Sequence, residues 1–69
     1  MSPESFIAWL DEMTSSGRAK SDAECARLLG RTPHNIVTMK KRGADRMTAL
    51  ACTALLADLA PYGEKESDR

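Results

Sequence analysis

Few side chains in this sequence could do covalent or acid–base chemistry, and their spacing gives them little to work with. His34 is the sole histidine, and no Cys–His or Ser–His arrangement can be built around it from the spacing. Cys25 and Cys52 stand 27 positions apart within helical patterns, with no CxxC pair and no second histidine to complete a zinc set. They read as small buried hydrophobes, and a disulfide is not expected in a reducing compartment. There is no glycine-rich phosphate loop, and the carboxylates fall mostly at helix starts or in the tail. The residues therefore predict no catalysis, no metal, no cofactor and no small-molecule ligand.

The chemistry that remains is charge attraction. Ten Lys/Arg balance ten Asp/Glu, so the total is zero, but the signs are segregated. Residues 1–17 carry Glu4, Asp11 and Glu12 and no cation, a net −3. Residues 18–46 carry eight Lys/Arg against Asp22, Glu24 and Asp45, a net +5, and residues 47–69 return to −2. Such segregation makes a local positive field that suits an anionic partner despite the neutral total.

The elements that must hold these cations are well punctuated. The chain has 69 residues, one small domain, with abundant Ala and Leu, three aromatics and few β-branched residues, which favours helices over a sheet. Ser2 and Pro3 open a first helix whose Phe6, Trp9, Leu10 and Met13 recur at helical spacing, and Ser15-Ser16-Gly17 ends it. Ser21 with Glu24 forms a capping box for a second helix, with Cys25, Ala26, Leu28 and Leu29 on its buried side and Gly30 as its stop. Thr32-Pro33 opens a third, anchored by Ile36 and Met39 and closed by Lys40-Lys41-Arg42 before Gly43. Asp45 caps a fourth from Arg46 to Ala60, which Pro61 terminates. The expected fold is all-α, a compact bundle of four to five short helices. It occupies residues 1–63, and the charged tail 64–69 is expected to fray.

Two short helices joined by a glycine-containing turn, the second flanked by cations, make a helix-turn-helix over residues 21–42. Ala26 is small enough for a close helix crossing, and Gly30 permits the turn four residues later. The stretch ARLLGRTPHNIVTMKKRG at positions 26–43 resembles the helix-turn-helix of the phage Cro and lambda-repressor-like (XRE-type) family. It shares the Ala-x-x-x-Gly spacing, the Thr before the second helix and the basic run ending in Gly. It departs at Arg31, a turn position that is usually apolar there, and at Met39, where many relatives carry Trp.

The resemblance implies a sequence-specific duplex-DNA-binding regulator, a Cro-like repressor that occludes a promoter from the major groove. By the family's docking mode, His34, Asn35, Val37, Thr38 and Lys41 would meet base edges, with His34, Thr38 and Lys41 sharing one helical face. Arg18, Lys20, Thr32, Lys40, Arg42 and Arg46 would meet phosphates, which position a protein without reading sequence. The fourth helix is apolar around most of its circumference. One stripe, Met47, Leu50, Ala51 and Ala54, is expected to pack inward. The other, Cys52, Leu55, Leu56 and Leu59 with Tyr62, is expected to form a homodimer interface on a palindromic operator. A second reading is a helical protein-interaction module, an inhibitor, antirepressor or antitoxin-like partner, to which the acidic ends are suited. No signal pattern or membrane-length apolar run is present, so the expected location is the cytoplasm, and the resemblance implies a bacterial host or association with the nucleoid.

Overall fold

Each helix start is held by a side chain that accepts a hydrogen bond from the backbone N–H three residues on. In the computed structural model, which describes residues 1–59, Ser2 accepts from Ser5, Ser21 from Glu24, Thr32 from Asn35 and Asp45 from Thr48. These caps satisfy donors that the first turn leaves unpaired. They open α1 (Pro3–Ser15), α2 (Asp22–Leu29), α3 (Pro33–Arg42) and α4 (Arg46–Leu56). Among the described residues there is no strand, and no helix is long and apolar enough to cross a membrane.

The stops are equally local. Gly30 takes φ 70°, and the Arg31 N–H then reaches back to the Ala26 carbonyl at 2.8 Å, closing α2 with a left-handed cap. The fourth helix ends at Leu56, earlier than Ala60. Asp58 adopts φ 58°, its N–H bonds the Leu55 carbonyl at 3.1 Å, and the Leu59 N–H bonds Ala54 at 2.9 Å. The same closing geometry that glycine gives α2 is therefore made by an aspartate, whose carboxylate is held by Arg18.

α3 lies against both α1 and α2, and α4 lies against α2. The core joins Phe6, Trp9, Leu10 and Met13 of α1 to Cys25 and Ala26, Ile36 and Met39, and Cys52. Phe6 and Trp9 stack with ring centroids 5.7 Å apart. Cys25 and Cys52 are free thiols inside this core, and burial pushes both above the usual thiol range.

α4 presents its stripes the other way round from the expectation. Cys52 is buried, and its carbonyl accepts the Trp9 indole N–H at 3.1 Å. Leu55 and Leu56 are half-buried against the core, so Cys52 is no interface residue and its two neighbours are only partly available. Met47 and Leu50 face solvent instead, at 76% and 60% exposure. Leu59 is also exposed, beyond the helix, and Tyr62 lies outside the described residues. On α2, Leu28 is exposed where an inward position was expected.

Candidate nucleic-acid interface

α3 has two distinct sides. Ile36 and Met39, three apart, are buried against the rest of the molecule and fix the helix in place. Thr32 and Pro33 set its start, with the Thr32 Oγ1 accepting from the Asn35 N–H at 3.2 Å. On the other side His34, Val37, Lys41 and Arg42 are exposed and Thr38 is half-buried. These five line one shallow recess of about 280 Å³. Four of the five residues expected to meet base edges thus share a surface, joined by Arg42. Val37 is half-exposed there, an apolar spot between polar and cationic neighbours.

Asn35 is set apart. It lines a second recess of about 160 Å³ with Arg31, Thr38, Met39, Asp45 and Thr48, where the turn before α3 meets the start of α4. Thr38 borders both recesses, and its hydroxyl donates to the His34 carbonyl at 3.3 Å.

The cations divide into two groups. Lys20, Lys41, Arg42 and Arg46 are exposed and make no ion pair among the described residues. Two others expected to meet phosphate are engaged internally. Lys40 Nζ bonds Asp22 Oδ2 at 2.5 Å, tying the end of α3 to the start of α2. Arg18 bonds Asp58 through Nε at 3.0 Å and a terminal nitrogen at 3.1 Å, a bidentate pair that anchors the end of α4. Thr32 is exposed, although its hydroxyl already serves as the cap.

Comparison with protein-family models, with curated proteins and with solved structures finds no match. The site therefore rests on its own geometry.

Arg31, which the sequence marked only as an unusual turn residue, is tied to α4. Its guanidinium donates to Thr48 Oγ1 at 3.2 Å and lies 3.6 Å from Asp45 Oδ2. Asp45 receives hydrogen bonds from the hydroxyl and backbone N–H of Thr48, and Arg31 and the N-terminal ammonium add positive charge; together these hold its carboxyl below the usual range. The signal for this link was present in Asp45 and Thr48, a cap and its third residue, but nothing in their spacing points back to the turn.

Proposed function

We propose that the chain binds duplex DNA sequence-specifically, with α2, the Gly30–Thr32 turn and α3 acting as a helix-turn-helix and α3 entering the major groove. Its output in this reading is Cro-like repression by promoter occlusion. The observation that supports it most is the two-sidedness of α3. Ile36 and Met39 hold one side, while His34, Val37, Thr38, Lys41 and Arg42 form one exposed recess on the other. Lys41 can donate to guanine, His34 can donate or accept, and the methyl groups of Thr38 and Val37 can meet thymine. Lys20, Arg42 and Arg46 carry the phosphate role without first breaking an internal ion pair.

A second copy of the chain belongs to this reading. Met47 and Leu50 are large and exposed at one end of the outer face of α4, and Ala51 and Ala54 are small toward the other. Pairing of this same face on two copies buries the exposed Met47 and Leu50 in a two-fold interface. Two recognition helices then read half-sites about ten base pairs apart.

Titration of duplex DNA with Lys41→Ala and Thr38→Ala tests the assignment. The expected result is lost discrimination among duplex sequences with an unchanged helical spectrum. Unaltered DNA binding in both variants would refute the role of α3. A protein-interaction module is the competing reading, favoured by α1, whose exposed Glu4, Asp11 and Glu12 have no cation among them.

A further inference from the structure

We infer that Arg31 is a DNA-phosphate contact held by Asp45 in the free protein and exchanged from the carboxylate to a phosphate when duplex binds. The inference rests on the DNA reading above and adds to it a residue and a competitor. Four observations carry it. Arg31 stands in the turn immediately before the Thr32 cap, and it lines the same recess as Asn35 and Thr38 on the readout helix. The pair lies at the water's edge, with the Arg31 side chain 40% and the Asp45 side chain 60% exposed, so exchange strands no deeply buried charge.

The guanidinium is also under-used. Of its five N–H donors one reaches Thr48 Oγ1, and the Asp45 oxygen at 3.6 Å is beyond a direct hydrogen bond. Arg18, by contrast, makes two direct bonds, one to each carboxylate oxygen of Asp58. A phosphate offers the planar bidentate partner that Asp45 does not provide at this distance. Finally, Asp45 does not depend on Arg31 for its structural task. Its Oδ1 caps α4 by accepting the Thr48 N–H at 2.8 Å, and only Oδ2 faces the arginine. Releasing Arg31 therefore leaves the cap intact.

The test is binding of a mixed-sequence duplex across a series of salt concentrations by wild type, Arg31→Gln, Asp45→Asn and the double variant. Asparagine keeps the capping oxygen while removing the charge. The expected results are a log–log salt slope shallower by about 0.9 in Arg31→Gln and tighter binding by Asp45→Asn. The Asp45→Asn gain should be at least roughly threefold smaller when Arg31 is already replaced. A slope in Arg31→Gln equal to wild type overturns the inference. So does weaker binding by Asp45→Asn, the result expected if the pair were only a turn anchor. Circular dichroism confirms folding, and if Arg31→Gln fails to fold, Arg31→Lys replaces it and must retain the wild-type slope. Absence of any salt-dependent binding by wild type would instead sink the DNA reading itself.

Discussion

The indole N–H of Trp9 donates to the carbonyl of Cys52 at 3.1 Å, inside the core and across 43 positions of sequence. This bond joins the first helix to the last on the side of α4 where Cys52 is buried. Replacing Trp9 with Phe removes the donor and part of the ring. The expected cost is about 1–3 kcal/mol of stability, read by chemical denaturation followed by circular dichroism, because Trp9 is the only tryptophan. An unchanged midpoint would mean that the bond does not hold α4.

Alkaline pH should weaken the fold through the same residue. Burial, and then the neighbouring Cys25, raise the Cys52 thiol from 9.0 to about 11. The unfolded chain therefore loses this proton first, and stability is full below about pH 9 and declines as pH rises toward 11. The decline should be about 2 kcal/mol across that window. Cys52→Ala should have a flatter pH–stability curve than wild type, measured by urea unfolding at each pH.

Two glycines with positive φ should respond differently to alanine: Gly30 lies in the left-handed helical region at ψ 28°, whereas Gly43, at ψ 177°, lies where almost only glycine is found. At Gly30, φ 70°, a Cβ would meet nothing within 4 Å, so Gly30→Ala should cost about 1 kcal/mol from backbone strain alone. At Gly43, φ 89°, a Cβ would collide with the Met1 carbonyl, which accepts the Ala44 N–H at 3.0 Å. Gly43→Ala should lose at least about twice as much as Gly30→Ala. Equal thermal shifts in the two variants would show that neither the glycine-only backbone of Gly43 nor its contact with the first residue adds to the cost.

The outer face of α4 should matter for assembly and little for folding. Leu50 is 60% exposed, so Leu50→Glu should change the stability of the single chain by less than about 0.5 kcal/mol. Light scattering at micromolar concentration, with and without duplex, should show wild type as two chains and Leu50→Glu as one. A wild-type mass of one chain under both conditions would remove the dimer.

Helix boundaries were legible because they are local. Ser2, Ser21, Thr32 and Asp45 each bond an N–H three residues on, so the residue type and its offset carry the whole signal. The inward side of α3 was legible for a similar reason, since Ile36 and Met39 are its large apolar residues at core spacing. The orientation of α4 was not. Both of its sides are apolar, and the atom that Trp9 bonds on it is a backbone carbonyl, which has no sequence signature. The early stop at Leu56 depends on a left-handed Asp58 supported by an arginine 40 positions away. Ion pairing was hidden likewise: Lys40 finds its carboxylate 18 positions upstream, so a cation counted toward phosphate is in use within the fold.

Selection of bound sequences from a random duplex library at low salt tests the central claim most directly. The outer face of α3 should enrich a palindromic site whose half-sites lie about ten base pairs apart, and Lys41→Ala should relax the preference within each half-site. No enrichment by the folded wild-type chain would contradict DNA recognition by α3.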